Sequence, residues 1–278
     1  MEQKQTSVFS EKEFSWRDGK HWFDAGILYF KVVKTFWYLN CLLLGVGAAL
    51  LANVSATLTS LVMVFASPLV TAFMMKACAN VANMNTVSFS VLWQLILRNL
   101  NPLMVLGLIT AILSVISQYM HIQLLGAFSL SVEITEEMMK NMTGKEVILR
   151  GVLNIMTNLP IALALVFSPA LILFKLYQPI KAIQHSFLGF IKSWKAFLTL
   201  MLLFLLLFFA VVLLASFVIS LIETVMGAGS QMLVNGVVLF FIVTVAGIGL
   251  CAQYQAYTEV FQQDEVVNER GSEIYTEI

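Results

Sequence analysis

Few side chains in this 278-residue chain stand where covalent chemistry needs them. The three histidines, His21, His121 and His185, are separated by long apolar runs and are not expected to form one metal site. The sequence holds no His-Glu-x-x-His pattern, no nucleophile elbow and no glycine-lysine phosphate loop. Cys41, Cys78 and Cys251 are odd in number and widely spaced, which suits small packing residues rather than a disulfide framework or a metal set. The methionines are scattered rather than clustered for copper. No enzymatic activity, no cofactor and no metal are therefore expected.

Two other kinds of chemistry remain. The first is backbone chemistry at two proline breaks. Pro68 and Pro169 each remove a backbone donor within an apolar run, and the carbonyl so released must find a neighbour, a hydroxyl or water. Ser67 and Ser168 stand beside them. The pair either lines a mid-membrane cavity or serves as a packing kink. The second is surface charge. Lys31, Lys34, Arg98, Lys181, Lys192 and Lys195 lie in amphipathic stretches and are candidate contacts for anionic lipid headgroups. Ion-driven transport usually requires ionisable groups at membrane depth, and the apolar runs carry none away from their ends. Lys76 and Lys175 sit at ends where they can snorkel, and Glu223 reads as a solvated helix end. Asn53-Val54-Ser55 and Asn141-Met142-Thr143 have the form of glycosylation sites, relevant only in a secretory source.

The elements that must position these residues are membrane helices. Hydrophobic residues make up 59% of the chain and charged residues 12%, about half the charge of an ordinary soluble domain. Six spans are expected, at about 36–52, 58–76, 103–120, 159–174, 197–222 and 232–256. Three amphipathic stretches precede them in alternation. The first leads to Trp37, with Trp16, Trp22, Trp37 and Tyr38 as interface anchors. The second carries Phe89, Leu92, Trp93, Ile96, Leu97 and Leu100 at helical spacing, and Pro102 suits the first turn of the helix that follows. The third, about Gln178 to Lys195, puts Ile180, Ile183, Phe187, Phe190, Trp194 and Phe197 on one stripe and its lysines off it. The connection from His121 to Asn158 is the longest, and 133–142 and 147–156 are each expected as a short amphipathic helix. No cleaved signal peptide is expected.

Lysine and arginine counts orient the spans. Thirteen fall on the side of the termini and three, Lys140, Lys145 and Arg150, on the other. The positive-inside rule then places both termini and the amphipathic stretches in the cytoplasm, together with an acidic tail over 261–278. The units repeat. Ser67-Pro68-Leu69-Val70-Thr71-Ala72-Phe73 echoes Ser168-Pro169-Ala170-Leu171-Ile172-Leu173-Phe174, and each is followed by a lysine and later by Ser-Phe. The expected fold is all-α and integral to the membrane: six transmembrane helices as three parallel repeats of an interfacial helix plus a helical hairpin.

The passages from Ser67 to Leu113 and from Ser168 to Phe208 carry a resemblance. A proline-bearing span leads through Ala182-Ile183-Gln184-His185-Ser186-Phe187 and an aromatic-rich segment with Trp194 into the next span. This resembles an uncharacterised family of six-helix proteobacterial inner-membrane proteins, a domain of unknown function. It is more distantly similar to the membrane domain of some glycerophosphodiester phosphodiesterases, whose catalytic domain is missing here. The resemblance implies a bacterial inner-membrane location and supplies no site residues. Membrane lipids are the expected partners, with another membrane protein or a second copy as further candidates, and no nucleic acid. The function expected is a non-enzymatic structural, lipid-interacting or assembly-support role. The alternative is a small transporter or channel for an apolar or lipid-like solute.

Overall fold

Away from water a backbone can satisfy its polar groups within one segment only as a helix. The computed structural model of the chain accordingly forms helices wherever the apolar runs lie. It describes residues 9–84, 93–94, 97–132, 142–226 and 231–261. Among these residues the helices are α1 (Trp16–Ala52), α2 (Ala56–Ala82), α3 (Leu100–Ala127), α4 (Gly144–Lys175), α5 (Pro179–Lys192), α6 (Trp194–Met226) and α7 (Gln231–Val260). The described residues contain no strand beyond an isolated antiparallel bridge between Phe9 and Phe261. All but α5 are long and apolar enough to cross a membrane. The chain is an all-α, multi-pass membrane protein.

Helix starts follow local chemistry. Ser15, just before α1, is held by Asp18 of its first turn: the Ser15 backbone N–H and Oγ both donate to Asp18 Oδ2, at 2.7 and 2.8 Å. Ser55 Oγ accepts from Leu58 N at 3.3 Å, and Thr143 Oγ1 accepts from Glu146 N at 3.3 Å. Glu146 then pairs with Arg150 one turn on, at 3.0 Å. Pro102 falls in the first turn of α3, where its missing N–H costs nothing.

All six spanning helices run past the bounds expected for them, and two absorb stretches expected as separate elements. A surface helix and a separate first span were expected before Ala52, but α1 runs unbroken for 37 residues. Lys31 and Lys34 interrupt the hydropathy and not the backbone, since no proline stands between Trp16 and Ala52. Likewise the stretch expected as a short helix over 147–156 is the opening of α4, continuous with the fourth span. The other short helix of that connection, most of the second amphipathic stretch, Ser88-Phe89 and the acidic tail lie outside the described residues.

The chain divides into two compact units. The first comprises the described residues up to Lys31 and those from Ile191 onward. Here α6 and α7 form a hairpin, and the first half of α1 packs on both. Gly19 and Gly26, one heptad apart, make that approach possible. A Cβ at Gly19 would lie 2.1 Å from the Ala196 carbonyl oxygen, and one at Gly26 would lie 2.8 Å from the Ala252 Cβ. Trp22 is fully buried between them, its ring 5.8 Å from Phe14 and 5.3 Å from Phe197. It is therefore core rather than the interface anchor expected, because two glycines give its indole a walled slot. Trp16 alone of the first three tryptophans is exposed, edge-on to Trp194.

The second unit, Val32–Phe190, packs α2, α3 and α4 against one another. Gly107 lets α3 meet the Phe65 backbone, where a Cβ would fall 2.3 Å from its oxygen. Ser117 Oγ donates to the Thr157 carbonyl at 2.8 Å, tying α3 to α4. The core of this unit is made by two helix segments: Ala72–Asn80 of α2, buried at every position except Lys76, and Phe167–Leu173 of α4, buried throughout. A helix apolar all round is one that protein surrounds on every side.

Candidate functional site

Each of those core segments begins beside one Ser-Pro pair. Pro68 is buried and withdraws the donor that would reach the Val64 carbonyl. Ser67 Oγ supplies it instead, donating to Val64 O at 2.7 Å. Ser168 and Pro169 are both buried, and Ser168 Oγ donates to the Ala164 carbonyl. The four residues sit in packed helix.

Near Pro169 a second serine acts from the next element. Ser186 of α5 is fully buried, and its Oγ lies between two groups of α4 that an ordinary helical turn would pair. Phe167 N–H donates to Ser186 Oγ at 3.0 Å, and Ser186 Oγ donates to the Leu163 carbonyl at 2.8 Å. The chain reaches this position through a tight elbow. Leu176 closes α4 in the left-handed region, φ 53°, its N–H bonded to Leu171 O, and Pro179 opens α5. Leu163 and Phe167 lie 12 and 8 residues before the end of α4, so α5 folds back alongside α4.

The contacts of α5 sort its residues into three faces. Ala182, Ser186 and Gly189 are buried, and they carry the smallest side chains of the helix. Ile180, Phe187 and Ile191 share a second face and are about half exposed or more, at 67%, 47% and 50%, while the exposed Leu188 falls among the polar residues of the third. Lys181, Gln184, His185 and Lys192 form the third face. The large apolar residues give the more prominent period in the sequence, and the small residues Ala182, Ser186 and Gly189 repeat at i, i+4 and i+7. Small residues let helix backbones approach closely, so the small stripe is the one the protein covers.

A groove of about 490 Å³ opens between α4 and α5, lined by Pro160, Ala164, Ile183, Gln184, Phe187 and Leu188. Gln184 is its one polar lining residue. Ser67, Pro68, Ser168 and Pro169 do not line it.

The six candidate cations are distributed. Lys31, Lys34 and Arg98 are exposed on or near α1 and α3. Lys181 is exposed, its Nζ 4.6 Å from the Tyr177 ring centre, and His185 Nδ1 hydrogen-bonds the Lys181 carbonyl at 2.9 Å. Lys192 is turned to the N-terminal segment, with Nζ 5.7 Å from the Phe9 ring and bonded to the Ser10 carbonyl. Lys195 stands 5.9 Å from its neighbour's ring at Trp194.

A second polar cluster, not foreseen, closes the first unit. Lys12 Nζ pairs with Asp18 at 2.6 Å and with Glu259 Oε2 at 2.9 Å. Glu259 Oε1 accepts from Gln255 Nε2 at 3.0 Å and meets His21 Nδ1 at 2.8 Å. Ser10 N–H donates to the Val260 carbonyl at 3.0 Å, and the Phe9 and Phe261 rings lie 5.3 Å apart. Burial lowers the Lys12 pKa, but hydrogen bonds and charge from Asp18 and Glu259 outweigh it and hold it above the ordinary lysine value. Glu259, two residues before the acidic tail expected over 261–278, is thus part of α7 and of this lock. Among the described residues, no three of His, Cys, Asp and Glu gather as a metal ion would require. Compared with family models, curated proteins and solved structures, the chain matches none.

Proposed function

We propose that the chain is a non-enzymatic inner-membrane protein with a lipid-interacting, structural role, exercised at the membrane surface by α5. The observation that carries this reading is the three-faced α5. The protein buries its small face and leaves large apolar side chains outside, flanked by cations. An exposed apolar face bordered by lysine is what an interfacial helix presents to lipid. No Asp or Glu occurs between Glu146 and Glu223, so the charge of Lys175, Lys181, Lys192 and Lys195 has no acidic neighbour in sequence. Anionic headgroups are the complementary partner.

Burial along the helices supports the proposed orientation. It gathers at the start of α1 and α6 and at the end of α2, α4 and α7. Six crossings in alternation bring those ends to one side of the membrane, the side that the positive charges assign to a bacterial cytoplasm. The opposite halves of α1, α2, α6 and α7 are largely apolar and exposed, as bilayer-facing segments are, whereas that of α4 carries Lys145, Glu146 and Arg150.

Native mass spectrometry of the full chain, released from its own membrane under mild conditions, tests this reading. Retained anionic phospholipid, diminished in Lys181→Glu, is the expected result. A chain that carries zwitterionic and anionic lipid in the proportions of the membrane, with no change in the variant, contradicts it.

A further inference from the structure

Lys76 is the one charged residue in the most enclosed stretch of α2. Ala72–Asn80 is otherwise buried, and Lys76 itself is half-buried. Its place in the sequence suggests a helix end, where the ammonium can reach water. The structure places it earlier. From Lys76, α2 continues to Ala82, about 9 Å further, and Ala77, Cys78, Ala79 and Asn80 are all buried. Lys76 Nζ lies 6.0 Å from the centre of the Phe174 ring of α4. Among the described residues it has no ion pair and no hydrogen bond. The acids of the second unit lie elsewhere. Its sequence holds Glu133, Glu136, Glu137 and Glu146, all between the end of α3 and the first turn of α4. Glu146 stands about 42 Å along α4 from Phe174 and pairs with Arg150. One turn on from Lys76 and on the same face, Asn80 is 7% exposed, and its amide makes no hydrogen bond among the described residues.

We infer that Lys76 and Asn80 bind an oxyanion, a phosphate or carboxylate group, beside the end of α4. Chemistry selects the occupant. An ionisable group among membrane helices is almost always paired, and a buried charge without a counter-charge is costly. The Lys76 ammonium and the Asn80 amide both offer N–H donors, which an oxyanion accepts. A cation would be repelled by the ammonium. An apolar group would leave every one of those donors without an acceptor. The site lies on α2 and does not depend on the lipid-facing reading of α5.

The test uses the full chain in dodecyl maltoside, stripped of lipid, with chloride as the only anion. An N-hydroxysuccinimide ester acylates the lysines, and peptide mapping gives the rate at each. Inorganic phosphate, acetate or phosphatidylglycerol in mixed micelles is then added. At least one of them is expected to slow acylation of Lys76 relative to the exposed Lys34 and Lys195, by about fivefold at about four times its dissociation constant, as occupancy of a single site requires. Protection by inorganic phosphate or acetate assigns a soluble anion of that kind, and protection by phosphatidylglycerol alone assigns a lipid headgroup. Asn80→Leu, close in size, should weaken the protecting anion about tenfold, the worth of a hydrogen bond to a charged group. Lys76→Met, which no longer needs a counter-charge, should match or exceed the parent chain in thermal midpoint, and that midpoint should not rise with the anion. Failure of all three anions to protect Lys76 overturns the site. Equal slowing at Lys34 and Lys195 overturns it as well, since screening alone would do that. Protection unchanged in Asn80→Leu overturns the two-residue assignment.

Discussion

Single hydroxyls and single charges decide how this protein is joined. Ser186 satisfies a donor and an acceptor of another helix with one oxygen, in a place water does not reach. Ser186→Ala removes both bonds at once. Leaving buried polar groups unsatisfied costs about 1–3 kcal/mol, so the variant should lose that much stability in a detergent-denaturation series. Ser67→Ala, which strips only the hydroxyl at Val64 O, should lose less. An unchanged midpoint for Ser186→Ala would show that the turn of α4 closes without it. Lys12 gives a pH signature. Its pKa is raised on folding, so its contribution is complete below the unfolded lysine value of about 10.4 and fades as pH climbs through the folded value. A spin label at Ser10→Cys should stay immobilised from neutral pH to about pH 10 and become mobile above it. In a Lys12→Met background it should be mobile at neutral pH, and a label indifferent to both changes would refute the lock. The Lys12 lock was not readable from sequence. Lys12 and Glu259 stand 247 positions apart, and no local pattern pairs them. Ser186 did carry a signal, its place in the small stripe with Ala182 and Gly189, but the large residues around it gave the louder periodicity.

At the scale of elements, long apolar runs are the legible part and their junctions are not. The run from Phe197 to Ile222 falls inside α6 as expected, because more than twenty uncharged residues admit one structure in lipid. The bounds of α1 were harder to read. Its first half is amphipathic and its second half apolar, and a change of composition looked like a change of element. What holds the first half in place is the pair Gly19 and Gly26. Overpacking a close contact costs about 1–3 kcal/mol where the neighbour can yield, and at Gly19 the neighbour is a backbone oxygen. Gly19→Ala and Gly26→Ala should therefore lower thermal stability by at least that amount. Gly45→Ala and Gly47→Ala, where a Cβ meets nothing within 4 Å, serve as matched controls in the same helix and should be near neutral. Equal effects at all four positions would mean that helix propensity, not packing, sets the response.

Across the whole molecule, apolar residues do two jobs that sequence alone does not separate. Leu171 and Leu205 have the same side chain in equally apolar runs, yet the first is fully buried and the second about half exposed. Of the most apolar windows, 56% is buried in α4 and only 6% in each of α1, α6 and α7. Hydropathy reports both as membrane helix, and only packing shows which face protein and which face something else. The Ser-Pro repeat was the one sequence feature that pointed to the packed portions, since both copies open the surrounded segments of α2 and α4. On this account the exposed apolar side chains, those of α5 included, face lipid. Spin labels placed singly at Phe187, Ile191 and Lys181 of the full chain in anionic nanodiscs measure this most directly, through collision with oxygen, which enriches in lipid, and with a water-soluble nickel chelate. The account predicts oxygen-dominated collision at Phe187 and Ile191 and nickel-dominated collision at Lys181. Nickel-dominated collision at all three positions would contradict it.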